Sequence, residues 1–237
     1  MKKLRQDDPD AVRREYADPS RFAVRRSLWS RRTGPRVFDV AFDAVAALEP
    51  RRALEVGCGP GDFAARLQAA GIEVVALDQS EQMVELARGQ GVDARVGDVQ
   101  ALPFADREFD VAVANFMLYH VPDLDRGLAE LARVAPRLVA ATNGYDQLRE
   151  MWDLVGRDLG ERRTIFMRET GEALLRTHYD DVRLIDLPAT VEMSADDMRH
   201  YIANSVRHSH LAARVPTFDG TRTITASTAV FVASCVR

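Results

Sequence analysis

The stretch Leu54-Glu55-Val56-Gly57-Cys58-Gly59-Pro60-Gly61-Asp62 constrains this chain more than any other. A short apolar strand runs into a turn with glycine at every second position, and a helical pattern over 62–70 follows at once. Glycines in such a turn bring the backbone close to a ligand, because no Cβ stands in the way and positive φ carries no penalty. A helix N-terminus facing the same space offers free N–H groups. Strand, glycine turn and helix in this order make a nucleotide-binding corner.

The pattern around the corner repeats it. Strands are expected at 53–56, 73–77, 93–96, 109–114 and 138–142. Helices are expected at 62–70, 81–90 (with Ser80 as N-cap) and 124–134. Near-continuous apolar strands alternating with helices indicate an α/β fold with a parallel sheet covered on both faces, doubly wound in the Rossmann-like manner. Before it, 38–48 reads as an amphipathic helix with Phe38, Phe42, Val45 and Leu48 on one face. Beyond Asn143 the pattern changes. Helices are expected at 145–159, 170–178 and 194–205, a strand at 182–187, a loop over 206–222, and a long apolar strand or hairpin half at 225–236.

Composition narrows the function. With 32 Lys and Arg against 36 Asp and Glu the formal charge is −4, which argues against a nucleic-acid partner. Residues 1–36 are the exception, with eleven basic and five acidic residues. Two cysteines cannot build a disulfide framework, and no Cys/His set has zinc spacing, so no metal is expected. No run approaches the ~18 apolar residues of a membrane helix, and a cytoplasmic protein without membrane contact is the expectation.

The glycines read Gly-x-Gly-x-Gly, not the Gly-x-Gly-x-x-Gly of dinucleotide sites. Glu55 lies just before them, Asp78 closes the second strand, and Asp98 follows the third. Three carboxylates around one crevice repel a pyrophosphate. They suit a cationic ligand that carries ribose hydroxyls and an exocyclic amine.

On these residues the chain resembles the class I S-adenosylmethionine (SAM)-dependent methyltransferases, in the branch with small soluble substrates. The resemblance is carried by Leu54–Gly61, by Leu77-Asp78-Gln79-Ser80 with Met83, by Gly97–Phe104, and by Phe109-Asp110-Val111 through Tyr119-His120-Val121. It implies a seven-stranded, mostly parallel sheet with a C-terminal antiparallel strand and an inserted lid. It also implies roles. Gly57, Gly59 and Gly61 would pack on the methionine and ribose parts, with Glu55 fixing the loop or touching the ligand. Asp78 would take the ribose hydroxyls, Gln79 and Met83 would lie beside the adenine, Asp98 would accept from its amine, and the Val99 N–H would reach the ring. Asn115 and Phe116 would line the methyl-transfer pocket, and S-adenosylhomocysteine (SAH) would be the product.

The organisation expected is an N-terminal helical cap over 1–36, a SAM-binding core over 37–143, a helical lid insertion with the sixth strand over 144–222, and the final core strand over 223–237. In the cap, Tyr16, Phe22 and Trp29 are candidates to close over the cofactor, with Arg25 or a neighbouring arginine for its carboxylate. His120 is the candidate general base, with pocket lining as the alternative role. Phe116, Tyr119, Tyr145, Trp152, Met198 and Tyr201 are the candidate acceptor walls. The reading is a SAM-dependent methyltransferase acting by N- or O-methylation on a small molecule of secondary metabolism. A tRNA or other RNA methyltransferase is the first alternative, and a SAM-binding protein without catalysis the second.

Overall fold

The computed structural model describes residues 27–157, 165–205 and 207–235. Its centre is a seven-stranded sheet in the order β3-β2-β1-β4-β5-β9-β6. The strands are β1 (Arg52–Val56), β2 (Glu73–Asp78), β3 (Asp93–Val96), β4 (Val111–Asn115), β5 (Arg137–Asn143), β6 (Asp181–Leu187) and β9 (Thr228–Ser234). β1 to β5 pair in parallel, while β9 runs antiparallel between β5 and β6.

The inner strands β1, β2, β4 and β5 are mostly apolar because both faces are covered, while the edge strands β3 and β6 expose Asp93, Arg95, Arg183 and Asp186. Side chains alternate between faces. Ala53, Val74, Ala76, Val111, Val113 and Val139 point to one layer, built from α1 (Val37–Ala46), α2 (Asp62–Ala69) and α3 (Glu81–Gly89). Leu54, Val56, Leu77, Ala112, Ala114 and Leu138 point to the other, where α4 (Leu124–Val134) packs. α4 sets Leu124, Leu128 and Leu131 along its buried stripe, and its N-cap Asp123 accepts from the Arg126 N–H at 3.2 Å. Ser80 caps α3 in the same way, accepting from the Met83 N–H at 3.3 Å. At the amino edge of the sheet Asp110 accepts from the N–H groups of Arg51 and Arg52 at 2.8 and 2.9 Å. These bonds hold its carboxyl below the usual range, so Asp110 ties strand starts together far from the ligand edge.

A second, two-stranded sheet grows out of the first. β6 and β9 break at Pro188-Ala189 and Ala226-Ser227 and continue as β7 (Thr190–Met193) and β8 (Arg222–Thr225). The Arg32 guanidinium fills the break. Its Nη2 donates to Leu187 O at 2.9 Å, Ala226 O at 3.3 Å and Thr228 Oγ1 at 2.9 Å. The two short helices α5 (Arg149–Leu154) and α6 (Gly171–Leu175) precede β6, and α7 (Ala195–Ala203) follows β7. α7 opens on a capping box between Ser194 and Asp197. A separate core of Met151, Trp152, Met193, Met198, Ile202 and Ile224 holds this part together.

Four sequence expectations need correction. The helix at 38–48 buries Val37, Ala41, Ala44 and Val45, and leaves Phe38 45% exposed, because small residues pack closest to the sheet. The helix expected over 145–159 is confined to α5, preceded by Leu148 in the left-handed region at φ 58°. The stretch expected as a loop contains a 3-10 helix, Ser209–Arg214, whose Leu211 is buried in the second core. The apolar stretch expected as a strand or hairpin half over 225–236 starts later, as β9 from Thr228, since Thr225 belongs to β8.

Leu131 is fully buried between α4 and the sheet. Leu131→Ala should lower unfolding free energy by about 2–5 kcal/mol in urea titration, with the slope unchanged.

Candidate active site

The carboxyl ends of β1 to β4 form one edge, and the loops there are fixed by backbone bonds. Cys58 N–H donates to Leu77 O at 3.0 Å, Gly61 N–H to Cys58 O at 3.1 Å, and Gly97 N–H to Asp78 O at 3.1 Å. Gln90 Nε2 reaches across from the end of α3 to Pro60 O at 2.6 Å and Asp62 Oδ1 at 2.8 Å. The glycine turn is therefore held before any ligand arrives.

Its three glycines have different reasons to be glycine. All three have positive φ. A Cβ on Gly57 would meet Met117 Cβ at 2.6 Å, and one on Gly61 would meet Ala87 Cβ at 2.7 Å. Those two are required by packing. A Cβ on Gly59 would meet nothing within 4 Å. Gly59 is where bare backbone faces open space.

Asp78 sits beside it. Its Oδ2 accepts from the Gly59 N–H and its Oδ1 from the Ser80 N–H, both at 2.9 Å. Each oxygen keeps a lone pair for a further donor. Burial raises the Asp78 carboxyl above its ordinary value. Asp98 lies exposed after β3, its oxygens 2.9–3.0 Å from the Gln100 side-chain amide. Glu55 is only 2% exposed, and its Oε2 has no hydrogen-bond partner. Burial, with lesser contributions from Asp78 and Asp62, pushes its carboxyl up to about 8. Burial also raises the Cys58 thiol, followed by Glu55 and Asp78, so Cys58 is no nucleophile.

Glu55 pairs with Val113 across the β1–β4 ladder, and alternation sends Asn115 to the same face. Asn115 is 8% exposed, with neither its amide nitrogen nor its carbonyl oxygen bonded. Phe116 follows with φ 57°, a conformation that costs a bulky residue on the order of 1–3 kcal/mol and that concentrates at functional sites. His120 ends the 3-10 turn Leu118–His120, half-buried, its ring 4.5 Å from that of Tyr119.

The structure thus brings Glu55, Gly59, Asp78, Asn115 and Phe116 to one edge, with the Tyr119-His120 turn after β4. Gln79 is exposed there, while Met83 and Val99 are buried beneath. Tyr145 is half-buried past β5, its N–H donating to Glu169 Oε2 at 3.0 Å. Trp152, Met198 and Tyr201 are members of, or pack against, the second core, and Trp29 sets its ring edge-on to Tyr201 at 6.3 Å. Tyr16, Phe22 and Arg25 lie outside the described residues. Sequence reasoning missed Gln90, whose side chain braces the turn, and Phe38, whose ring lies 5.8 Å from that of Phe116. A glutamine at a helix end carries no signal of its own. Phe38 was hidden because it matched the helical stripe.

Residues 54–137 match the methyltransferase domain family, and they span the glycine turn, Asp78, Asp98 and the whole of β4. This stretch, about a third of the chain, is similar to that family's methyltransferase domain. The chain is 35% identical to a demethylmenaquinone methyltransferase of Renibacterium salmoninarum over 129 residues, covering 53% of this chain and 54% of the relative. It is 49% identical to a trans-aconitate 2-methyltransferase of Mycolicibacterium gilvum over 82 residues, covering 33% and 31%. The chain thus spans about half or less of the length of these curated relatives. Its fold matches that of a SAM-dependent methyltransferase from Thermotoga maritima, with a TM-score of 0.59, 20% identity and coverage of 96% and 99%. The carboxyl edge fits SAM on its own chemistry. Gly59 leaves room against bare backbone, Asp78 has acceptors to spare, and the orphaned atoms of Glu55 and Asn115 call for a polar, cationic partner.

The raised Glu55 value has a consequence for stability. A carboxyl whose folded value lies above the unfolded one leaves stability intact below the ordinary value of 4.5 and erodes it as pH climbs toward about 8. Glu55→Gln cannot ionise. In thermal unfolding without ligand it should gain over the parent protein at pH 8.5 and not at pH 4.5, and equal offsets at both would exclude a buried titrating Glu55.

Proposed function

We propose that this protein transfers the methyl group of SAM to nitrogen or oxygen of a small molecule, in chemistry of the secondary-metabolic kind. The observation that carries this reading is the Asp78–Gly59 pairing, an anchored carboxylate with free lone pairs beside uncovered backbone. When bound, SAM supplies an electrophilic methyl group on a sulfonium. The remaining work belongs to the chain. Asp78 accepts from the ribose hydroxyls. Gln79, Met83, Asp98 and the Val99 N–H frame the adenine. Glu55 and Asn115 face the methionine end as acceptors. Such orientation of two reactants supplies up to about 7–11 kcal/mol of rate acceleration.

On the acceptor side, Phe116, Tyr119 and Tyr145 form the near wall. His120 takes a proton where the acceptor must lose one. Residues 144–222, with Trp152, Met198 and Tyr201 setting their shape, act as the lid. The small acceptors in the names of the two relatives support a small-molecule substrate, as does the acidic balance of the chain.

Calorimetry with SAH and labelled SAM turnover test the reading together. Asp78→Ala should weaken SAH binding by at least about tenfold, since it removes charge-assisted hydrogen bonds worth about 1.5–3 kcal/mol each. Methyl label should pass to small-molecule acceptor pools. Label entering tRNA, with steep salt dependence, would overturn the substrate class. SAH binding with no label transferred to any pool would favour a SAM-binding protein without catalysis. His120→Ala should cut turnover strongly at unchanged SAH affinity, and near-normal turnover would remove His120 from the chemistry.

A further inference from the structure

We infer that Phe38 is a specificity-determining wall of the acceptor pocket, and that it selects an acceptor with a flat, apolar ring body. The inference rests on the methyl-transfer reading and names the acceptor class within it.

α1 stands with its first turn at the ligand edge. Just upstream, Arg32 is bonded to Leu187 O and Thr228 Oγ1, where β6 ends and β9 begins. Just downstream, Leu48 O is bonded by Arg137 Nη1 at 2.7 Å, at the opposite end of β5. Phe38 lies off the buried stripe of this helix and is 45% exposed, yet its ring is not loose. It packs 5.9 Å from the Phe63 ring and 5.8 Å from the Phe116 ring, at interplanar angles of 45° and 64°. Phe63 is the second residue of α2, directly after the glycine turn, and Phe116 is the residue that leaves β4 in the left-handed conformation. Three rings from three elements therefore meet beside Asn115, and part of the Phe38 surface stays open.

One ion pair near this cluster neutralises itself. Asp39 is bonded to Arg66 at 2.6 Å, and the Arg66 guanidinium lies over the Phe42 ring at 4.2 Å. The carboxylates Asp62 and Asp78 at the same edge would repel a polycarboxylate. A planar apolar body stacks on aromatic rings with a gain beyond its area alone. Its reacting atom would then point past Phe116 toward the Tyr119-His120 turn.

The test uses the full chain loaded with SAH and two probes, 2-naphthol as an uncharged bicycle and tricarballylate as a polycarboxylate. Titration by saturation-transfer NMR should show 2-naphthol bound and tricarballylate not bound. Phe38→Ala should weaken 2-naphthol about tenfold, while calorimetry shows SAH affinity unchanged. Phe38→Leu, which keeps apolar packing on Phe63 but removes the flat face, should also weaken it and carries the test if the alanine variant does not fold. Equal 2-naphthol affinity in the parent and the variants, no 2-naphthol binding by the SAH-loaded parent, or preference for tricarballylate would each overturn the inference. Failure of the parent to bind SAH would strike the methyl-donor reading instead, and the two failures are thereby distinct.

Discussion

Burial of the parallel strands on both faces is the constraint on which the rest of this structure depends. Every residue of β4 and nearly every residue of β1, β2 and β5 is withdrawn from water. Within the sheet, backbone groups are satisfied by the ladders, and side chains have no room for charge. Polar chemistry is pushed to the strand ends. Asp110 shows the amino edge used for structure, closing the starts of β1 and β4. Glu55, Asp78 and Asn115 stand at the carboxyl edge, where Glu55 and Asn115 keep polar atoms without a hydrogen-bond partner.

The same constraint makes the carboxyl edge electrostatically poised. Glu55 and Asp78 sit in low dielectric with backbone N–H groups but no cation from the described residues bonded to either. Their ionised forms are costly until a positive partner comes. A site that holds acceptors ready and unpaired discriminates against phosphates and favours a sulfonium bearing an amine. The glycine turn adds shape to this charge. Two of its glycines serve tight packing against Met117 and Ala87, so the third can hold its backbone open at a fixed place.

Much of this was legible in the residues. The alternation of apolar strands with helices placed β1 to β5 within a few residues, and Ser80 capped its helix as expected. The sequence puts Glu55 and Asp78 at the ends of the first two strands, and in the structure both stand at one edge of the sheet. The parts that were not legible share a physical cause. Thr225 reads as the start of a long strand, yet the ribbon bends at Ala226-Ser227, because Arg32 from a distant segment satisfies the carbonyls exposed there. Trp152, Met198 and Tyr201 are candidate walls, with core packing the other reading for Met198 and Tyr201, and in the structure Trp152 and Met198 lie in the second core with Tyr201 packed against it.

The sequence by itself determined the strand-glycine-helix corner, the acidic ends of the first three strands and the doubly wound order. Each of these depends on residues close in the chain, where backbone geometry leaves few choices. Only the tertiary structure decided which glycine faces the ligand, how the second sheet is pinned to the first, and that Phe38 turns from the core toward Phe63 and Phe116. Those outcomes depend on contacts between distant elements. A helix with apolar residues on more than one side buries whichever face packs closest, and here the small residues Ala41 and Ala44 went to the sheet and left the larger ring at the site.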